Sequence, residues 1–386
     1  MTRRRTGRAR AWAELLRVSA LFSVPGDALA GAAAAGARPG RGTLCAIGAS
    51  LCLYEAGMAL NDWADRAEDA AERPHRPLPS GRVAPSAALA ASAALTAAGL
   101  ALASRAGRPS LAVATALAAT VWAYDLGLKH TPAGPGTMAT ARALDLLLGA
   151  TASTGRTGRT ASTGAAGRPA STGAAGRPAS TGGIGGPHRR AVHALPSAAL
   201  LGAHTYAVTA VSRHETQGGS TRTPLAALAV TLAVAGAVSG DALGARPDTT
   251  TVSSPSGPPA PAPHPHPALP SRRPLPPSGP LPSRRPLPSR RLLPSGLPLS
   301  SRRPVPSRGL GPLLALAYAR TPATLLLHAA LNPSAALTER AVGGGIRATI
   351  PLQAALAARA GAPGTALALL CLVPAARALA RKVSPT

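Results

Sequence analysis

Acidic side chains are scarce in this chain: fourteen in 386 residues against 41 basic ones, for a formal net charge of +27. Lysine is scarcer still, with two residues, so the positive charge is almost wholly arginine. There is one phenylalanine, and aromatic residues make up only 2% of the sequence. So basic a chain would ordinarily point to nucleic acid. Its arginines, however, gather in residues 1–17, 151–192 and 245–308, where rings for base stacking are almost absent and no nucleic-acid motif occurs. No nucleic-acid partner is expected, and anionic lipid headgroups suit the juxtamembrane arginines better. Cysteine is nearly missing too. Cys45, Cys52 and Cys371 lie in apolar segments without metal-ligand spacing, which excludes a disulfide framework and a thiolate metal site.

What remains is Ala and Leu, in recurring apolar stretches of about 17–25 residues, the length a bilayer-spanning helix needs. Mean hydropathy is only +0.13 because two polar segments dilute them. Hydropathy predicts an all-α integral membrane protein with about nine transmembrane helices. The spans fall near 13–36, 43–60, 84–104, 108–124, 136–150, 193–211, 224–244, 342–360 and 363–380. The apolar stretch 309–331, interrupted by Arg320, Pro322 and His328, reads as interfacial or re-entrant. The expected organisation is a basic tail (1–12), a first membrane part (13–150), an insertion (151–192), two helices (193–244), a second insertion (245–308) and a C-terminal part (309–386). The tail and the apolar run after it read as an uncleaved first span rather than a signal peptide. Both insertions are repetitive, rich in Gly, Ser, Pro and Arg, and too poor in bulky side chains to offset chain entropy, so they are expected to be disordered. His264 and His266 in the second have no further ligands and carry no assigned role.

Loop charge gives an orientation. The N-terminal arginines, Arg66, Arg73, Arg76, Arg82, Lys129, Arg213 and Arg222 fall on one side, and Arg38, Arg41, Arg105 and Arg108 on the other. The positive-inside rule then places the N-terminus and residues 61–83 in the cytoplasm of a multi-pass cell-membrane protein.

Five of the fourteen acids crowd into the eleven positions from Asp62 to Glu72, directly after an apolar run ending at Leu60. On one helix Asp62, Asp65 and Asp69 share a face that Asn61 adjoins. Like charges so placed repel by roughly a few tenths of a kcal/mol per pair, and a bound cation reverses the sign. An all-oxygen set suits Mg²⁺, which binds through one or two carboxylates plus substrate phosphates. A solvated acidic helix end is the plainer alternative. Other acids lie within spans, where they are costly and often functional. Asp27 follows Pro25-Gly26, where a broken helix can bare backbone to a cavity. Glu55 stands about two turns before Asp62, Asp145 three residues after Arg142 as its expected partner, and Asp241 near a span end.

The stretch Asn61-Asp62-x-x-Asp65-x-x-x-Asp69, followed by Glu72-Arg73-Pro74-x-Arg76-Pro77-x-Pro79-Ser80-Gly81-Arg82-Val83, resembles the first aspartate-rich motif of the UbiA superfamily of membrane prenyltransferases. That resemblance implies Mg²⁺ at Asp62, Asp65 and Asp69, the diphosphate of a prenyl donor held through it, and Asn61 beside it. It also implies a diphosphate contact for Lys129 in Tyr124-Asp125-Leu126-Gly127-Leu128-Lys129, whose continuation Lys129-x-Thr131-x-x-Gly134-Pro135 matches the family. The resemblance further implies helices arranged around a central cavity and Arg142 as a diphosphate-binding residue, in a segment where the family often has Asn at the Asp145 place. Where the family carries a second aspartate motif, this chain has Ser212-Arg213-His214-Glu215, leaving Glu215 as the one carboxylate for metal and Arg213 as a diphosphate clamp. The form Ser212-Arg213-x-Glu215-x-x-Gly218-Gly219 resembles the EboC-like branch. So do Val24–Gly31, Ala330-Leu331-Asn332-Pro333-Ser334, Ala341–Arg347 and Arg381-Lys382-Val383-Ser384-Pro385. The resemblance implies Mg²⁺-dependent prenyl transfer, with Asp62, Asp65 and Lys129 as the catalytic residues, to a hydrophobic, electron-rich acceptor in secondary metabolism. A non-catalytic isoprenoid or precursor carrier is the alternative.

Overall fold

The computed structural model describes residues 2–17, 23–154, 191–214, 220–243 and 309–383. Among them every regular element is helical. The order is α1 (Thr2–Leu15), α2 (Val24–Ala34), α3 (Arg41–Ala64), α4 (Arg66–Glu72), α5 (Pro85–Ala106), α6 (Arg108–Leu126), a 3-10 turn (Leu128–His130), α7 (Gly134–Thr154), α8 (Leu195–Ser212), α9 (Arg222–Leu243), α10 (Leu310–Leu331), α11 (Ala335–Arg359) and α12 (Pro363–Val383). Proline opens α2, α5, α6 and α8, at a position where its missing N–H is not needed. Ser334 caps α11 by accepting from the Leu337 amide at 3.4 Å.

Four helices, Arg41–Ala64, Pro85–Ala106, Arg222–Gly240 and Leu310–Leu331, are long and apolar enough by length and composition to cross a membrane. In α5 only 22% of the most apolar window is buried inside the protein, and Leu232, Leu313 and Leu316 are exposed, as lipid-facing side chains are. The nine spans read from hydropathy are not confirmed; one of them is corrected, and so is the interfacial reading of 309–331. Span 13–36 is broken, because α1 ends at Leu15 and α2 is an 11-residue helix, about 16 Å long against a hydrocarbon core of about 30 Å. The stretch 309–331 is one 22-residue helix despite Pro322, and belongs with the four. Helix α7 runs to Thr154, into the first expected insertion. The rest of that insertion lies outside the described residues except 191–192, and the second lies wholly outside.

The helices pack in two neighbourhoods that share α7. One holds α3, α5 and α6, with Ala46, Leu53, Leu117 and Leu148 in its core. The other holds α2, α8, α10 and α11, around Leu146, Leu201, Tyr318 and Leu352. Helices α2 and α7 touch backbone to backbone. A Cβ on Gly31 would stand 1.9 Å from the Leu146 carbonyl oxygen, and one on Gly149 would stand 2.3 Å from that of Ala28. Only glycine fits such a crossing, and it sets Asp27 beside α7.

Candidate functional site

Helix α3 ends at the aspartate stretch without losing its register. Asp65 closes α3 and starts α4, and the Asp65 amide bonds the Asn61 carbonyl at 2.9 Å while the Asp69 amide bonds that of Asp65 at 2.8 Å. At about 100° per residue, Asp62 and Asp69 are offset by about 20°, whereas Asp65 stands about 60° from Asp62 and about 40° from Asp69. The three stand on one helix face, as the spacing predicts, but their cations divide the cluster in two. Asp62 and Asp69, both buried, converge on Arg76, whose Nη1 lies 2.8 Å from Asp69 Oδ2 and 3.7 Å from Asp62 Oδ1. Arg17 Nη2 reaches Asp62 Oδ1 at 3.3 Å, and Arg73 approaches Asp69 at 3.7 Å. Asp65 instead pairs with the Lys129 ammonium. That ammonium also donates to Asn61 Oδ1 at 3.3 Å, and Asn61 Nδ2 donates to Asp65 Oδ2 at 3.1 Å.

Helix α1 lies over the loop that delivers Arg76. Ala11 and Leu15 pack on Leu78, Val83 and Ala88, with Trp12 and Trp63 at the edge. Arg82 Nη1 donates to Glu14 Oε2 at 2.7 Å, and that hydrogen bond holds the Glu14 carboxyl below the usual glutamate range.

Beneath this polar mouth a cavity of about 540 Å³ opens. Arg17, Asn61, Tyr124 and Asp125 line it at the mouth, and Ser50, Arg142 and Asp145 line it further in, with apolar walls between. On α3 alone, Ser50 and Asn61 are eleven residues apart, or about 16 Å of helix. At the inner end Arg142 Nη1 sits 2.9 Å from Asp27 Oδ2, and Gln353 Nε2 donates to Asp27 Oδ1 at 2.6 Å and to the Ser23 carbonyl at 2.8 Å. The expected Arg142–Asp145 pair is therefore corrected. The glycine crossing brings Asp27 of α2 to Arg142, and Asp145 Oδ1 is left without a hydrogen-bond partner.

The donor set at the mouth suits a hard divalent cation. It is almost all oxygen, one guanidinium nitrogen already bridges two of its carboxylates as a cation would, and ligating atoms of Asp65, Glu68 and His130 lie within 4.8 Å of one another. The UbiA prenyltransferase family model matches residues 21–243, more than half of the chain. The chain belongs to the UbiA prenyltransferase family. The digeranylgeranylglyceryl phosphate synthase of Methanopyrus kandleri is 34% identical over 128 residues, covering 32% of this chain and 45% of that protein. The synthase of the same name from Korarchaeum cryptofilum is 31% identical over 126 residues, covering 32% and 44%. The chain thus spans about half the length of the curated relatives it matches. Among solved structures, an apo UbiA homologue from Aeropyrum pernix K1 superposes with a TM-score of 0.50 at 16% identity, over 87% of this chain and 96% of that one. That similarity speaks for the fold alone.

Within this UbiA-family frame, the predicted residues Asn61, Asp62, Asp65, Asp69 and Lys129 meet at the mouth. Arg142 does not join them: it lies eight residues into α7 and holds Asp27. Arg213, just past α8, donates to the Thr131 carbonyl and so braces the turn that carries Lys129. Glu215 lies outside the described residues. Sequence reasoning missed Arg17 and Arg76 as partners of the aspartates, since loop arginines are plentiful and only the folded loop distinguishes these two. It also passed over Asp125, a buried cavity carboxyl one turn before Lys129. Its signal was present, as an acid at a helix end in an acid-poor chain.

Proposed function

We propose that this chain, a member of the EboC-like branch, transfers a prenyl group from an allylic diphosphate to an electron-rich acceptor within the membrane, using Mg²⁺. One observation carries the reading: a charged mouth with both carboxylates and an ammonium opens directly onto a 540 Å³ cavity with apolar walls. Mg²⁺ at Asp62, Asp65 and Asp69 would supply Lewis acidity toward the leaving diphosphate. Lys129, Arg17 and Arg76 present fixed positive charge where negative charge grows on the phosphate oxygens. The C–O bond of the donor breaks with its electron pair going to diphosphate, and the acceptor's electron pair forms the new bond to the allylic carbon. Leu53, Leu117, Val121 and Val208 keep water from that carbon meanwhile. Asp125, lining the cavity near the mouth, is placed to take the proton the acceptor loses. Loop charge supports a cytoplasmic mouth, where soluble diphosphates and Mg²⁺ are supplied.

The test uses the purified full chain with Mg²⁺ and a panel of allylic diphosphates, with product and free diphosphate followed by mass spectrometry. Asp62→Ala and Asp65→Ala should abolish both. Unchanged transfer by these variants would show the aspartates are misassigned, and saturable donor binding without diphosphate release would establish a carrier instead.

A further inference from the structure

The inner end of the cavity carries charged groups that prenyl-diphosphate binding at the mouth does not use. Two acids, Asp27 and Asp145, face one base, Arg142, and all three are largely buried. Arg142 is committed to Asp27 at 2.9 Å, and Gln353 supplies the other Asp27 oxygen at 2.6 Å. Asp27 is thereby matched to a cation, although its Oδ2 is held by that ion pair alone and makes no hydrogen bond. Asp145 is not so matched. It lies beside Asp27 and the Ser50 hydroxyl, its Oδ1 has no hydrogen-bond partner, and it lines the cavity together with Ser50. A buried acceptor left unpaired costs about 1–3 kcal/mol, which a ligand bringing a donor would relieve. An anion at the same place would meet two carboxyls and a guanidinium already engaged.

We infer that this inner end is the recognition subsite for the acceptor, and that it takes an uncharged or cationic head bearing an O–H or N–H donor and disfavours a carboxylate or phosphate. The inference rests on the transfer reading for the word acceptor; the binding preference stands on the inner residues alone. The two ends of the cavity then have opposite preferences, with the anion at the mouth among Lys129, Arg17 and Arg76 and the donor-bearing head at Asp145. Asp145 is a binding group, too deep in the cavity to act on the allylic carbon.

The experiment is isothermal titration of the detergent-purified full chain with two matched probes, a naphthalenediol and the hydroxynaphthoate in which one hydroxyl is replaced by carboxylate. The diol should bind about tenfold more tightly, as one relieved buried hydrogen bond implies. Asp145→Asn keeps an acceptor oxygen and adds an amide N–H that can donate to a carboxylate, so it should raise naphthoate affinity about fivefold and leave the diol nearly unchanged. Asp145→Leu should lose the diol about tenfold while a non-ionisable donor analogue binds as in the native chain, which shows that the fold survives. Equal or tighter naphthoate binding by the native chain, or an unaltered preference in Asp145→Asn, overturns the inference. Diphosphate release is scored separately. Diol binding through Asp145 with no release would sink the transferase reading and leave the subsite standing. Release with transfer to the naphthoate, and none to the diol, would do the reverse.

Discussion

The two acid clusters of this protein differ in how their charges are balanced. At the mouth three aspartates meet four cations, Arg17, Arg73, Arg76 and Lys129, and the three arginines come from outside the helix bundle. At the inner end two acids share one arginine, and every partner stands on α2, α7 or α11 or next to α2. Cations on a loop can be exchanged for another cation or turned onto an arriving diphosphate. Charges fixed by helix packing cannot, so an imbalance there persists until a ligand answers it. On the proposed reading the mouth serves turnover and the inner end selection.

Four substitutions would break or sharpen that contrast. Lys129→Met should strike the mouth alone, lowering kcat/KM about 100-fold, the usual loss for one donor aimed at developing charge. Steady-state rates and probe binding at the inner end, the latter unaltered, check it. Gly149→Ala should strike the inner end instead. Its new methyl meets the Ala28 backbone, prying α2 from α7 at a cost of about 2 kcal/mol, which thermal unfolding in detergent would read as a lowered Tm. Arg76→Ala removes the bridging cation from Asp62 and Asp69 and should tighten Mg²⁺ binding about fivefold, or about 1 kcal/mol, as measured by titration with the metal.

The smallest effect belongs to the cover. Glu14 is held below its ordinary value in the folded state, so its pairing with Arg82 stabilises above the unfolded value and is lost as pH falls through the folded one. Glu14→Gln should therefore loosen α1 by about 0.5 kcal/mol or less at neutral pH and make no difference in acid, since the pair is partly exposed. Proteolysis near α1 at the two pH values would follow it.

Much of the mouth was legible in the chain itself. Asn61, Asp62, Asp65 and Asp69 stand at helical spacing after an apolar run, and helix geometry turns that spacing into proximity; Lys129, on the turn after α6, was legible only through the family resemblance. The helical, membrane-type fold was legible for the same local reason. The break between α1 and α2 was not, because an apolar run of helical length looks the same whether one helix or two use it. Nor was the pairing of Arg142. Three residues separate it from Asp145 in sequence, which made that pair the natural expectation, yet the partner that arrives is Asp27, from another helix.

The sequence by itself determined the helices, the apolar surfaces that need lipid, and the aspartate helix end, all of which depend on contacts within a few residues. Only the tertiary structure decided which arginine answers which acid and that Asp145 is left unanswered. Those outcomes depend on two glycines letting α2 and α7 touch, and a crossing between distant segments has no local signature to read.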